Sequence, residues 1–415
     1  MEAVAVRRAV IWMVAAAAGI GSGLAELNDK LSPALDHPAI EYYNYLAHPA
    51  QDAVAVLKRK IESGQVQLKF DSGRGYLPAV LEALHVPIES QMAVFSKTSF
   101  QSARIEPDNP RTIFFNDSVA VAWVRGGFIE LAALDPQQGM IFYSLEQQLV
   151  PQPNFARRDD CLQCHRSDLS LGVPGTILRS FYTLPDGRPK LILGGNTTDH
   201  RSPFEERWGG WYVSGTMEHS RHMGNAVLAD PDHAESAVAL DSSHPASDIV
   251  ALLVFDHQMY MTNLITRVAW EVRCAQYDKT PAHAMNALLR ESARELVDYL
   301  LFIDEAPLPG PVQGTSGFAE KFAAEGPADH RGRSLRQLDL RTRLLRYPCS
   351  YMIYSEAFDH LPEPARNAIY LRMWEVLSGA EKGTRYARLS LDQRRALIEI
   401  LRETKPGLPG YFTEP

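Results

Sequence analysis

A run of five residues, Cys161-Leu162-Gln163-Cys164-His165, places two thiols and an imidazole within little more than one helical turn. Two thiols three positions apart can reach the two vinyl groups of one haem when both sulfurs face the same edge of the ring. The histidine directly after the second cysteine then lies beneath the iron as an axial ligand. The run therefore predicts one covalently attached haem, held by Cys161 and Cys164 and ligated by His165.

A pair of cysteines at this spacing also occurs in two other kinds of site. Zinc would take Cys161 and Cys164 as half of a tetrahedral set, with His165 or more distant histidines completing it. The distant candidates are His200, His219 and His222. A redox dithiol is the second alternative, but it is usually followed by a helix, whereas glycines and a proline follow here at 172–175. Haem is the leading prediction, since a second Cys-x-x-Cys pair is missing from the sequence.

The first 25 residues have the order of a secretory signal peptide. Arg7 and Arg8 precede an apolar stretch at 9–20, and small residues follow as far as Ala25. A retained membrane anchor is the alternative, but a span needs about 20 apolar residues and this stretch is shorter. We therefore expect cleavage after Ala25 and an exported, periplasmic protein, which is the compartment where haem is attached covalently.

Composition indicates an ordinary globular protein. Of its 415 residues 45% are hydrophobic and 22% are charged, and no later apolar segment approaches spanning length. A formal net charge of −8 gives no reason to expect nucleic acid or an anionic membrane surface as a partner. The two remaining cysteines, Cys274 and Cys349, are expected either to form one disulfide or to be separate buried thiols.

The order of patterns along the chain predicts an α+β fold in three regions after the signal peptide. Residues 26–150 combine helices, including one capped by Asp52 and ending near Ser63, with short antiparallel strands. A hairpin is expected across Asn116-Asp117. Residues 151–245 are rich in loops and contain the cysteine motif, and residues 246–415 are mainly helical. The long helices are expected near 248–277, 281–302, 364–378 and 390–404.

The group opposite His165 decides much of the function, because methionine raises the reduction potential, histidine lowers it and an open position allows chemistry on a small molecule. His222 and Met223 lie in a segment unusually dense in histidine and methionine. His257 and Met261 share one stripe of a predicted helix and therefore face the core. These four residues are the candidate distal ligands, with His257 and Met223 ahead of the others.

Two further groups of residues suit a haem. In Arg207-Trp208-Gly209-Gly210-Trp211-Tyr212 the glycines would let the backbone approach a flat ring while the indoles pack against it, although a tight turn with core aromatics fits equally well. Haem propionates are anionic and commonly meet arginine. The candidate propionate partners are Arg157, Arg158, Arg179 and Arg207.

The cysteine motif resembles that of c-type cytochromes, but it lies deep in the chain, which argues against the simple small cytochrome c fold. Over most of its length the chain is similar to large exported bacterial cytochrome c-like proteins of unassigned activity. The resemblance rests on the motif and on five further stretches: Phe95-Ser96-Lys97-Thr98-Ser99-Phe100-Gln101, Phe114-Phe115-Asn116-Asp117, Arg207-Trp208-Gly209-Gly210-Trp211-Tyr212, Arg221-His222-Met223-Gly224-Asn225 and His257-Gln258. It implies haem binding and export, and it implies no reaction.

Three functions follow as hypotheses. The first is a periplasmic monohaem protein that transfers electrons to or from a redox partner protein. The second is a haem-dependent oxidoreductase acting on peroxide or another small substrate, in which His257, or His222 with Arg221, would move a proton and stabilise a developing anion. The third is a zinc-stabilised secreted binding protein. In each case we expect no stable membrane insertion after the signal peptide is removed.

Overall fold

The fold is seen in a computed structural model that describes residues 49–219, 221–240 and 247–412. The predicted signal peptide at 1–25 lies outside these residues. The described residues form an α+β fold, as predicted, with an antiparallel sheet in the first half and most of the helices in the second. No helix in the described ranges combines the length and the apolar character that crossing a membrane requires.

The helices and strands occur in two groups along the chain. The strands are β1 Met92–Val94, β2 Arg111–Phe115, β3 Val119–Trp123, β4 Ile129–Asp135, β5 Gly139–Leu145, β6 Ala156–Arg157, β7 Arg179–Phe181, β8 Gly195–Thr197, β9 Thr216–Met217, β10 Ala226–Leu228, β11 Ala237–Ala239 and β12 Val312–Gln313. The helices are α1 Ala53–Glu62, α2 Leu77–Ala83, α3 Leu162–His165, α4 Ile249–Tyr277, α5 Ala282–Leu300, α6 Phe318–Ala324, α7 Glu356–Asp359, α8 Glu363–Ser378 and α9 Leu391–Thr404.

Strands β1 to β6 form one antiparallel sheet in which neighbours in sequence are neighbours in space. Because side chains alternate along a strand, each strand supplies residues to both faces of this sheet. One face carries the cross-strand row Phe114, Val121, Leu131 and Tyr143. These side chains pack against α1 and α2 in one hydrophobic core. We call this the helix face and the opposite one the open face.

Helix α1 is attached to the helix face through Asp52, the residue that precedes the helix and caps it. Asp52 caps the helix by accepting hydrogen bonds from the backbone N–H groups of Val54 and Ala55. The hydroxyl of Tyr143 in β5 donates to the second carboxylate oxygen of Asp52 at 2.6 Å. The predicted cap at Asp52 and the end near Ser63 are both confirmed.

Helix α4 runs through the second core, which joins the open face of the sheet to the helices of the C-terminal half. Asp248 caps it, and buried residues lie on every side of it. The ring of Phe255 contacts that of Phe115 in β2, with centroids 4.8 Å apart. The predicted long helices are all confirmed, with small shifts at their ends.

The cysteines outside the motif are separate in the structure. Cys274 in α4 and Cys349 are both buried and both free. Of the two arrangements expected for them, the structure has the separate thiols, each packed as a small core residue.

Candidate functional site

The cysteine motif folds as a single helical turn. A 3₁₀ turn at Asp159–Cys161 continues directly into α3, and Cys161 already has helical backbone angles of φ −61° and ψ −27°. Cys161 and Cys164, three residues apart in this conformation, project from the same side of the turn. His165 follows Cys161 by four residues and lies on that side as well. The local fold therefore brings the three side chains together, as the attachment of one ring requires.

A cavity of about 640 Å³ lies beside this turn, between the open face of the sheet and helix α4. Cys161, Cys164 and His165 all border it. Sites that enclose small ligands and cofactors have volumes of about 300–1,000 Å³. Cys161 is half-buried and Cys164 is exposed, so the cavity reaches the surface on the Cys164 side. The three residues predicted to hold a haem thus border a space of suitable size.

The sheet leaves room for this cavity because the strands carry alanine at its centre. Ala120 in β3 pairs with Ala132 in β4, and Ala122 lies two residues further along β3 on the same face. All three border the cavity, and aromatic residues such as Phe142 surround them. Short side chains between larger ones form a flat apolar floor. Such a floor fits the face or the edge of a planar ring.

His165 is oriented by the residue that lies ten positions after it. Its Nδ1 is 3.0 Å from the carbonyl oxygen of Gly175, and the N–H of Gly175 donates to the carbonyl oxygen of His165 at 2.9 Å. A metal-binding histidine usually donates its second ring N–H to such a carbonyl, which fixes the tautomer and leaves Nε2 for the metal. Burial lowers the pKa of His165 and so favours the neutral ring, which is the form that binds a metal.

The segment that orients His165 is held in turn by α4. The N–H of Thr176 donates to the side-chain oxygen of Asn263 at 3.1 Å, and the side-chain amide of Asn263 donates to the carbonyl oxygen of Thr176 at 2.8 Å. The hydroxyl of Thr176 donates to Sδ of Met259, one turn earlier in α4, at 2.7 Å. Thr176 and Met259 both border the cavity. Sequence reasoning did not single out either residue.

The four predicted distal ligands lie elsewhere. His257 is fully buried, with Nδ1 2.7 Å from Nδ1 of His200 and Nε2 2.7 Å from the hydroxyl of Ser350. Met261 is fully buried in the core. His222 packs edge-on against Trp208, and Met223 accepts a hydrogen bond from Ser180. None of the four, nor Arg221, is among the described residues that border the cavity.

The predicted propionate partners separate into two pairs. Arg158 and Arg179 border the cavity, whereas Arg207 is buried in an ion pair with Asp256, and Arg157 pairs with Asp159 beside the motif. Arg179 is the best placed, because its Nε is buried and has no hydrogen-bond partner within the described chain. Its guanidinium lies over the ring of Phe181, and burial lowers its pKa. An anionic group in the cavity would supply the partner that this guanidinium lacks.

A further charged pair, absent from the sequence prediction, lies on the open face. Arg111 in β2 and Glu130 in β4 both border the cavity, with Nε 2.8 Å from a carboxylate oxygen. The hydroxyl of Ser99 donates to Glu130 at 3.0 Å. The charges of Arg111 and Glu130 act in opposite directions on the pKa of His165, which shows that the pair lies within electrostatic range of the imidazole.

The segment with two tryptophans contributes one of them to the cavity. Trp211 borders it, and its indole N–H donates to the carbonyl oxygen of Arg179. The glycines serve contacts within the protein: a Cβ on Gly209 would collide with the backbone of Phe181, and Gly210 has φ +85°. The segment is therefore chiefly a tight turn with core aromatics.

This geometry supports the zinc and dithiol alternatives less well than it supports haem. Across the described ranges, no group of three or more His, Cys, Asp or Glu side chains is arranged to hold a metal ion. Helix α3 ends at His165 and does not continue as the helix that usually follows a dithiol.

Comparisons of the chain with family models, curated proteins and solved structures gave no match. The site is therefore interpreted from its own geometry. Two thiols, an imidazole with one nitrogen anchored, a guanidinium whose Nε has no hydrogen-bond partner among the described residues, and a cavity floored by alanine are together compatible with a covalently bound haem.

Proposed function

We propose that the protein binds one haem c through Cys161 and Cys164, with His165 as an axial ligand, and that it transfers electrons as an exported, periplasmic monohaem protein. The observation that carries the proposal is the 640 Å³ cavity bordered by all three of these side chains.

Each residue at the cavity has a defined task in this proposal. The two thiols would add to the vinyl groups of the ring as thioethers, and Gly175, by holding Nδ1 of His165, would leave Nε2 available to the iron. Arg179, whose Nε is unpartnered within the described chain, binds a propionate. The alanine floor excludes water from the ring. A haem bound in this way supplies a one-electron couple at its iron.

Electron transfer is favoured over catalysis by the position of the motif. Cys164 is exposed, so the edge of a ring joined to it lies at the protein surface. Phe100 and Leu169 also border the cavity and are themselves 57% and 41% exposed. An accessible ring edge with an apolar rim suits brief contact with a redox partner protein, which needs no substrate pocket.

The second candidate function, a haem-dependent oxidoreductase, is favoured by the Arg111–Glu130 pair. A carboxylate can move a proton on a small substrate such as peroxide, and a guanidinium can stabilise the anion that develops. In this candidate the pair takes the role predicted for His257, or for His222 with Arg221, because those residues do not border the cavity.

The test is covalent haem content. The full chain, exported in cells with a haem-maturation system, is expected to keep haem after denaturation, at about one haem per chain. The variant Cys161→Ala/Cys164→Ala should lose it, and the control Cys274→Ala, at a buried cysteine far along the chain, should keep it. A wild-type protein that carries no covalent haem overturns the proposal, and stoichiometric zinc in its place favours the zinc-stabilised binding protein.

A further inference from the structure

We infer that Met259 is the second axial ligand, opposite His165, and that Thr176 and Asn263 hold both ligands in one hydrogen-bonded frame. The inference rests on the proposed haem attachment and names the residue that closes the iron site. It assigns the ligand to a residue two positions away from both His257 and Met261.

The composition of the cavity wall is the first observation. Among the described residues that border the cavity, His165 and Met259 are the two that carry an imidazole or a thioether, the side chains that most often complete a haem site. Tyr143 also borders it, but its hydroxyl donates to Asp52 on the helix face of the sheet. The two cysteines are consumed by attachment. Met259 is therefore the residue available for the second axial position.

The environment of the thioether is the second observation. Met259 is 3% exposed, and Sδ accepts one hydrogen bond, from the hydroxyl of Thr176. A thioether sulfur has two lone pairs, so this bond leaves one pair for a metal. Because Thr176 fixes the sulfur, the side chain loses little conformational freedom when it binds, although methionine is otherwise a flexible residue.

The frame itself is the third observation. Gly175 bonds to His165 through both its N–H and its carbonyl, and Thr176 bonds to Asn263 through both of its own backbone groups. A Cβ on Gly175 would collide with the side-chain oxygen of Asn263, so the two elements approach as closely as glycine allows. Since Met259 and Asn263 are one turn apart in α4, two consecutive residues, 175 and 176, connect both ligands to one helix.

The frame has an electronic consequence as well as a structural one. A hydrogen bond from Thr176 withdraws electron density from the sulfur, which weakens its donation to ferric iron more than to ferrous iron. Methionine ligation already raises the reduction potential, and this bond raises it further. Thr176 and Asn263 are positioning residues here, and they act on the iron through Met259 and His165.

The decisive experiment is the absorption spectrum of the purified holoprotein. We expect a low-spin ferric form with a weak absorption band at about 695 nm, which indicates methionine bound to iron. Met259→Leu should lose the band, become high-spin and bind cyanide and carbon monoxide, while the control Met261→Leu should keep the band. Covalent haem should remain in both variants. If wild type contains covalent haem but lacks the band, the inference is overturned and the proposed attachment stands.

A second measurement tests the frame separately from the ligand. Thr176→Val should keep the band at about 695 nm but show a lower midpoint potential. Thr176→Ser, which retains a hydroxyl, should have a potential close to that of wild type. A purely structural role would not distinguish serine from valine in this way. An unchanged potential in Thr176→Val overturns the role assigned to the hydroxyl.

Discussion

The two faces of the β1–β6 sheet are built from the same strands and packed in different ways. On the helix face, Phe114 and Val121 are buried against α1 and α2 with close contacts throughout. On the open face, Ala120 and Ala132 occupy the corresponding central positions and border a cavity of 640 Å³. The helix face is therefore packed along its length, whereas the open face combines packing against α4 with a space beside its alanines.

The difference shows how one sheet can serve stability and function independently. Neighbouring residues on a strand point to opposite faces, so a change at one position alters packing and a change at the next alters the cavity. The pair Ala132 and Ala133 in β4 is the sharpest example, since Ala133 is fully buried on the helix face and Ala132 is not. Substitutions at such neighbours should separate the two roles.

The largest effect is expected from the packed face. Phe114→Ala removes a buried aromatic ring from the core beneath α1 and α2 and should lower the free energy of unfolding by about 3–5 kcal/mol. Urea denaturation of the holoprotein measures this loss. The haem content per folded chain should stay unchanged, because the side chain does not border the cavity. A lower haem content per folded chain in this variant would show that the two faces are not independent.

The next effect concerns the open face. Ala132→Leu projects a larger side chain into the cavity and should reduce covalent haem content at least tenfold, while the free energy of unfolding changes by less than about 1.5 kcal/mol. Its matched control is Ala133→Leu, which overpacks the helix face. That variant should be destabilised by about 1–3 kcal/mol and should keep its haem. Equal haem content in the two variants would contradict the position assigned to the ring.

The smallest effect is a pH dependence that belongs to the helix face. Burial raises the pKa of Asp52 above its ordinary value of 3.8, although the hydrogen bonds from Tyr143 and the α1 amides offset part of the shift. The native state therefore binds this proton more tightly than the unfolded chain does. Stability should fall as the pH rises from 3.8 to the native pKa, with a slope of at most about 1.4 kcal/mol per pH unit.

The variant Asp52→Asn isolates this contribution, because asparagine can still cap α1 but does not titrate. Unfolding by urea at a series of pH values should show a slope in wild type that is reduced in the variant over this window. A variant with the same slope as wild type would assign the pH dependence to other groups. Haem content should be the same in both proteins.

Much of the fold could be predicted because local chemistry determines it. Asp52 caps α1 through side-chain hydrogen bonds that its position before an apolar repeat already indicated. Asn116 forms the hairpin turn by accepting from Ser118 and Val119. The motif turn belongs to the same class, since Cys161 to His165 are close in sequence and therefore close in space.

Met259, the proposed second axial ligand, could not be singled out from the sequence, because α4 is buried on every side. A helix with one apolar stripe reveals which residues face the core, but in α4 both His257 and Met259 are buried. Two residues correspond to about 200° around a helix, so these side chains point in opposite directions. The position of the cavity decides between them, and it depends on strands more than 100 residues away in sequence.

The alanine floor is visible in the sequence as an alternation of residue size along β3. In Val119-Ala120-Val121-Ala122 valine and alanine alternate, so one face of β3 carries branched side chains and the other carries methyl groups. Such small residues on one face of a strand leave room for another element or a ligand to approach the sheet closely. The charged pair Arg111 and Glu130 on the same face could have been placed beside it from the strand register alone.

The two hydrogen bonds between Gly175 and His165 would affect the rate of electron transfer in the proposed haem protein. A ligand held at both its ring and its backbone moves little when the charge on the iron changes. In the proposed haem protein, the nuclear reorganisation energy of each transfer would then be small, and so would the activation barrier at a given driving force. Gly175 would in this way keep the proposed iron ligand in nearly the same position before and after the electron arrives.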